Sequence, residues 1–178
     1  MIPVKVVVAG GFGVGKTTFV SSISDIVPLT TEAALTMVSD GVDEIRANTA
    51  KTTTTVAMDF GRIALDDELV LYLFGTPGQD RFHFLWDELT RGAIGAVVLV
   101  DTRNIEASFT ALDYFETRRI PFVVAVNCFY GVAKHTVDEV RDALTIRPEV
   151  PVLHVDARDR TATKQVLVEL TRHALSLV

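Results

Sequence analysis

The residues best suited to chemistry form a glycine-rich run, Gly10–Thr18, directly after the apolar stretch Val4–Ala9. The run GGFGVGKTT fits the pattern G-x-x-x-x-G-K-[ST], in which glycines let backbone amides turn toward phosphate oxygens. In this pattern Lys16 reaches the outer phosphates and the Thr17 hydroxyl ligates Mg²⁺. The alternative is a glycine-rich turn with a chance lysine. It fits less well, because a buried-type strand precedes the run and an apolar helix start follows it.

The pattern therefore predicts a site for a nucleoside triphosphate. A helix beginning near Lys16 would add its unpaired N-terminal amides and the positive end of its dipole. The residues predicted to hold the phosphates are Gly10, Gly13, Val14, Gly15, Lys16, Thr17 and Thr18.

Size and charge exclude several other classes of function. The 178 residues predict one domain, 1–178, and 48% apolar with 22% charged residues is typical of a globular protein. A net charge of −6 without a lysine or arginine run argues against nucleic-acid binding. The single cysteine, Cys128, predicts a reducing, cytoplasmic location. No stretch is apolar for long enough to cross a bilayer, so any membrane association is expected to depend on partners.

The elements that must position this loop are strands alternating with helices. Six strands are predicted: Val4–Ala9, Val56–Leu65, Leu69–Phe74, Ile94–Val100, Phe122–Val126 and Val150–Val155. This alternation predicts an α/β fold of the P-loop type, with a six-stranded, mostly parallel sheet and helices on both faces. Between residues 25 and 51 no sustained period appears, although Thr31–Leu35 has the spacing of a helical turn. Such a long connection is typical of a functional or disordered segment.

These motifs together resemble the Ras-like small GTPase family, in family order over nearly the whole chain. Within it the chain most resembles the bacterial conservon GTPases (CvnD-type) and, more distantly, the MglA-type GTPases. The resemblance rests on Gly10–Thr18, on Thr52–Gly61 (TTTTVAMDFG) and on Phe74–Phe82 (FGTPGQDRF). It implies a switch that takes one shape with GTP and another with GDP, uses Mg²⁺ and hydrolyses GTP.

The resemblance also assigns individual roles. It gives Thr55, with Thr54 as the alternative in the threonine run, a place on Mg²⁺ and on the γ-phosphate. Gly78 matches the glycine whose amide contacts the γ-phosphate, and Gln79 matches the glutamine that orients the attacking water. With Lys16, Gln79 is the predicted catalytic residue; its alternative is an ordinary surface glutamine in a turn.

Departures from the family pattern surround the phosphates. Gly75 stands where the family has an aspartate that holds Mg²⁺ through water. Asp101 is either a substitute for that aspartate or, more simply, a cap for the turn that follows it. Pro77 replaces an alanine, and MglA-type proteins share both this proline and the missing aspartate. A ring at Phe12 is expected to crowd Gln79 and an incoming arginine, which predicts slow turnover. Arg46 is a weak candidate for an arginine acting in cis.

The loop that reads the base departs further. The family's N-K-x-D is Asn127-Cys128-Phe129-Tyr130 here, so the aspartate that distinguishes guanine is a tyrosine. Asn127 still matches. Ala157 and Arg158 resemble the family's S-A-K loop, with the Ala157 amide donating to guanine O6 and Arg158 stacking on the base. These residues keep GTP ahead of ATP by a small margin.

Three functions follow as hypotheses. The first is a GTP/GDP switch with slow Mg²⁺-dependent hydrolysis, and the second is an ATP-binding or non-switching nucleotide-bound scaffold. The third is a small-molecule kinase, which would need an arginine-rich lid and a carboxylate for the acceptor, and the sequence shows neither. The conservon resemblance implies Roadblock-type regulators and sensor-kinase-like proteins as partners, with recruitment to the membrane face through them.

Overall fold

A computed structural model of the chain describes residues 1–37 and 52–178, with the side chains of 30–37, 52–57, 80 and 81 outside that description. In the described part seven strands form one sheet in the order β2-β3-β4-β1-β5-β6-β7. The strands are β1 (Ile2–Ala9), β2 (Leu29–Met37), β3 (Thr52–Ala64), β4 (Leu69–Gly75), β5 (Ala93–Val100), β6 (Phe122–Asn127) and β7 (Val152–Val155). β3 is antiparallel to both of its neighbours, and the pairs from β4 through β1 to β7 are parallel.

Helices cover both faces of this sheet. They are α1 (Lys16–Ile23), α2 (Trp86–Thr90), α3 (Phe109–Arg118), α4 (Val137–Leu144) and α5 (Arg160–Ser176), with 3₁₀ segments at Asp80–Leu85, Thr102–Ser108 and Phe129–Gly131. α1 and α5 pack on one face, and α2, α3 and α4 pack on the other. The predicted α/β fold of the P-loop type, mostly parallel with two helical layers, is therefore confirmed.

The central strands are apolar throughout because both of their faces are covered. In β1, Val6 packs into the cluster beneath α1 and α5, while Val7 packs into the cluster beneath α2, α3 and α4. Both side chains are fully buried. This is the expected environment of a parallel strand between two helical layers.

The edge beyond β3 differs from the sequence-based expectation. All six predicted strands are present, and β2 adds a seventh, pairing with β3 from Leu29–Phe60 to Met37–Thr52. The predicted helical turn at Thr31–Leu35 is wrong, because these residues are strand. One turn of helical spacing is a weak signal beside a long antiparallel partner, since isolated helical turns are costly to nucleate. Arg46 lies outside the described residues.

Candidate nucleotide-binding site

The predicted phosphate loop follows the central strand β1 and leads directly into α1. Gly13 and Gly15 adopt φ values of 73° and 108°, which residues with a Cβ rarely accept. At Gly15 a Cβ would also lie 2.6 Å from Asn127 Nδ2. The first turn of α1 contains no acidic residue, so its free amides favour an anion.

Lys16 lies beneath this loop and is 9% exposed. Its Nζ donates to the carbonyl oxygens of Gly10 at 2.9 Å and Gly11 at 2.7 Å. Burial lowers the pKa of Lys16 from 10.5 to about 8, with the nearby Asp59 carboxylate opposing part of that shift. The amine is thus charged at neutral pH but is poised to lose its proton in mildly alkaline solution.

Asp59, on β3, is a site residue that the sequence reasoning missed. Its Oδ2 accepts a hydrogen bond of 2.6 Å from the Thr17 hydroxyl. The β3–β4 register pairs Phe60 with Phe74, so Asp59 comes next to Gly75 across the ladder. A Cβ on Gly75 would lie 3.2 Å from Asp59 Cβ and 3.3 Å from its Oδ2. The neighbouring strand therefore places a carboxylate beside position 75.

Asp101, the sequence-based substitute for that carboxylate, has a structural role instead. Its Oδ1 accepts from the Arg103 backbone amide at 2.9 Å and caps the 3₁₀ segment. Its carboxylate also pairs with the Arg103 guanidinium, and hydrogen bonding to that guanidinium lowers the pKa of Asp101. The simpler of the two predicted roles for Asp101 is the one observed.

Gly78 lies directly against the phosphate loop. A Cβ at this position would be 2.8 Å from Lys16 Nζ and 2.9 Å from Phe12 Cα. The preceding Pro77 carbonyl accepts from the indole of buried Trp86 at 3.2 Å, which anchors the start of this segment. A γ-phosphate held by Lys16 would thus meet the Gly78 backbone.

Gln79 and Phe12 line a cavity of about 660 Å³ between the phosphate loop, the 80–86 segment and α3. The Phe12 side chain is 78% exposed. Phe12 and Gln79 thus line one cavity, and the expected crowding of Gln79 by this ring stays a prediction. Thr55 belongs to β3, and its side chain lies outside the described part, so its role on Mg²⁺ stays a prediction.

Asn127 joins the phosphate loop to the other end of the site. Its Nδ2 donates to the Val14 carbonyl at 3.0 Å, and its Oδ1 accepts from the Ala157 amide at 3.2 Å. The side chain is buried, so both bonds are shielded from water. The Ala157 amide, predicted to meet guanine O6, is engaged by Asn127 in this conformation.

Beyond Asn127 lies a cavity of about 200 Å³, lined by Gly15, Thr18, Asn127, Phe129, Tyr130, Asp156, Ala157 and Arg158. Tyr130 has a φ of 60°, a conformation that costs a non-glycine residue about 1–3 kcal/mol. The Arg158 guanidinium lies 5.7 Å from the centre of the Tyr130 ring and is paired with Asp156. Thr18, Asn127, Ala157 and Arg158 thus surround one pocket, next to the phosphate loop.

The loop, the lysine beneath it and the adjoining pocket define a P-loop nucleotide-binding protein. The chain belongs to the family described as conserved hypothetical ATP binding proteins, whose model matches residues 8–177. It is 29% identical over 126 residues to the uncharacterized protein MJ1339 of Methanocaldococcus jannaschii, covering 70% of this chain and 69% of that one.

Solved structures with a similar fold include domains of FeoB, an iron transporter. The cytosolic domain of T. maritima FeoB, in apo form, matches with a TM-score of 0.68 at 17% identity. The match covers 97% of this chain and 64% of the FeoB chain. The FeoB G-domain of Methanococcus jannaschii matches with a TM-score of 0.64 at 13% identity, covering 98% of this chain and 99% of that one. Of the helices described here, none has the length and apolar content that a membrane span requires.

Proposed function

We propose that the protein is a GTP/GDP-dependent switch with slow, Mg²⁺-dependent GTP hydrolysis. The observation that carries the proposal is the position of Gly78, whose backbone lies against Lys16 Nζ and Phe12. A terminal phosphate bound by Lys16 would have to contact or displace the segment that starts at Gly78. Occupancy of the γ-phosphate position is thereby coupled to the shape of that segment.

The residues around Thr17 fit a nucleotide-bound Mg²⁺. The Thr17 hydroxyl and the Asp59 carboxylate converge within 2.6 Å of each other, and oxygen ligands of this kind suit Mg²⁺, which completes its shell with waters and phosphates. These two residues would hold the ion, which would neutralise charge on the phosphates. Lys16 would bind and orient the outer phosphates, and Gln79 would orient the attacking water.

A second moving segment is expected at β3. Thr55 is four residues from Asp59 along the strand, a separation of about 13 Å in extended backbone. The Thr55 hydroxyl would therefore reach an ion beside Asp59 only after the start of β3 rearranges. We infer that the start of β3, with the paired strand β2, changes conformation between the two nucleotide states.

The resemblance to CvnD-type and MglA-type GTPases supports a regulatory role in the cytoplasm. Under the same proposal, Roadblock-type and sensor-kinase-like proteins are the partners, and they recruit the protein to the membrane face. The family description, which names ATP binding, favours ATP as the second candidate ligand. Affinity for GDP relative to ADP, measured with nucleotide-free protein, separates the two.

Single-turnover phosphate release tests the switch. Gln79→Leu is expected to bind GTP as the unaltered protein does and to release phosphate at least about tenfold more slowly, because the water loses its orienting group. Gln165→Leu, the same change on exposed α5, is the matched control and should have no effect. Unaltered turnover in Gln79→Leu would remove the catalytic assignment. Identical protease sensitivity of the 76–86 and 52–59 segments with GDP and a non-hydrolysable GTP analogue would remove the switch.

A further inference from the structure

Asp156 places a carboxylate in the 200 Å³ cavity where the aspartate of the family's base-reading loop is missing. Its Oδ2 lies 3.8 Å from where a Cβ on Gly131 would be, so the carboxylate faces the backbone of that same loop. Gly15 and Thr18, at the start of α1, line the same cavity. A base joined through its sugar to phosphates in the loop would enter between these walls.

We propose that Asp156 recognises guanine, by accepting hydrogen bonds from the N1–H and the 2-amino group of the base. This inference rests on the proposed function, since it names the group that would give a GTP-binding switch its specificity. Guanine presents two neighbouring donors beside its O6 acceptor, whereas adenine presents an acceptor at N1 and a donor at C6. A carboxylate accepts hydrogen bonds and donates none when ionised, so it favours guanine.

Arg158 holds this carboxylate in position. The Arg158 amide and Nε both donate to Asp156 Oδ1 at 3.0 Å, and Nη2 donates to Oδ2 at 2.8 Å. A carboxylate has about four acceptor sites, so the three hydrogen bonds from Arg158 leave one free site on Oδ2. If the base displaces Nη2, a second site on Oδ2 becomes available, while the two hydrogen bonds to Oδ1 keep the carboxylate in position. Hydrogen bonding to Arg158 also lowers the pKa of Asp156, which keeps the group ionised.

A second aspartate–arginine pair offers a matched control on the other side of the loop. Asp101 and Arg103 have the same spacing and the same two-pronged pairing, and Arg103 lies 3.9 Å from the centre of the Phe129 ring. Asp101 lines a separate cavity of about 90 Å³ rather than the one beside Gly15. Its removal should therefore leave base recognition unchanged.

The test measures the affinities of GDP, xanthosine diphosphate (XDP), inosine diphosphate (IDP) and ADP for nucleotide-free protein. Asp156→Asn should weaken GDP about 10- to 100-fold and strengthen XDP, because the new amide donates to the 2-carbonyl of xanthine where the carboxylate was repelled. Asp101→Asn should keep the GDP-to-XDP ratio of the unaltered protein. Melting temperatures without nucleotide check that both variants fold.

The unaltered protein provides a test that needs no variant. It should bind IDP, which lacks the 2-amino group, about tenfold more weakly than GDP. Equal affinity for IDP and GDP would overturn the assignment, as would an Asp156→Asn protein that folds and keeps its GDP-to-XDP ratio. In either case a preference for GDP over ADP would leave the proposed function standing. Equal affinity for GDP and ADP would remove both the guanine assignment and this inference.

Discussion

The two ends of the site match the Ras-like GTPase pattern, which the sequence resembles, to very different extents. At the phosphate end, Lys16 and the glycine run match that pattern in sequence, whereas at the base end Asn127 is the single match to N-K-x-D. Phosphates are held by main-chain amides, so the backbone path itself is the recognition element and tolerates little change. A base is read by side chains, and a side chain can be supplied from a neighbouring element.

At each end the chain lacks a carboxylate that the Ras-like pattern has. Gly75 faces Asp59 across the β3–β4 ladder, and Tyr130 shares its cavity with Asp156. At the phosphate end, the Asp59 carboxylate lies beside Gly75 and accepts a hydrogen bond from the Thr17 hydroxyl, and we propose that it replaces the missing carboxylate. The corresponding replacement at the base end is also our proposal. Variants at each end can show how separately the two ends act.

The largest effect is expected at the phosphate end. Lys16→Ala should weaken GDP and ADP equally, by about 10²–10⁴-fold, because two charge-assisted hydrogen bonds to phosphate are lost. Fluorescence titration measures this loss, with exposed Lys164→Ala as the control. Affinity that stays within threefold would mean that the phosphates do not rest on this lysine.

The proposed role of the Asp59 carboxylate can be tested by removing it and placing an aspartate at position 75 instead. Asp59→Ala should reduce the gain in GDP affinity that Mg²⁺ provides by about 10- to 100-fold, since a charged ligand near the ion is removed. Gly75→Asp in the same protein should restore part of that gain, because the space beside Thr17 is then free. Gly75→Asp alone should destabilise the fold, since the new side chain meets Asp59 at 3.2–3.3 Å. A Mg²⁺ dependence that is untouched by Asp59→Ala would contradict the substitution.

The link between the ends is Asn127. Asn127→Ala leaves the buried Val14 carbonyl and the Ala157 amide without their hydrogen-bond partner, which should lower the free energy of unfolding by about 1–3 kcal/mol. Denaturant unfolding measures the loss, and exposed Asn104→Ala is the control. We also expect weaker binding of GDP and ADP alike. A defect confined to one nucleotide would show that Asn127 serves the base alone.

The smallest effect is a pH dependence. The pKa of Lys16 is about 8 in the folded protein without nucleotide, so affinity for GDP should fall above pH 8, by up to about tenfold per unit. Between pH 8 and 10.5 the folded chain binds fewer protons at this group than the unfolded chain. The contribution of Lys16 to stability without nucleotide therefore rises with pH over that range. Titrations from pH 7 to 9.5 measure the slope, which Lys16→Arg should flatten because arginine stays charged.

Much of the fold could be predicted because its signals are local. The capping box at Thr136 and Glu139 forms as its spacing indicates, with hydrogen bonds of 3.1 Å and 2.8 Å. The position of Asp59 opposite Gly75 could also have been predicted from the sequence. The hairpin tip is centred on Asp67, and Asp59 and Gly75 each lie eight residues from it, so antiparallel pairing sets them opposite each other. Strand β2 could not be predicted, because its strand conformation depends on pairing with β3.

By itself, the sequence determined the phosphate loop, the six predicted strands and the two positions at which the chain departs from the aspartates of the Ras-like pattern. Glycine spacing and apolar runs specify these features through backbone freedom and burial, which act over a few neighbouring residues. Only the tertiary structure decided that Asp59 contacts Thr17 and that Asp156 shares a cavity with Gly15 and Tyr130, because packing between separate elements sets these contacts. Those contacts join residues far apart in the chain, and no local pattern encodes their distances.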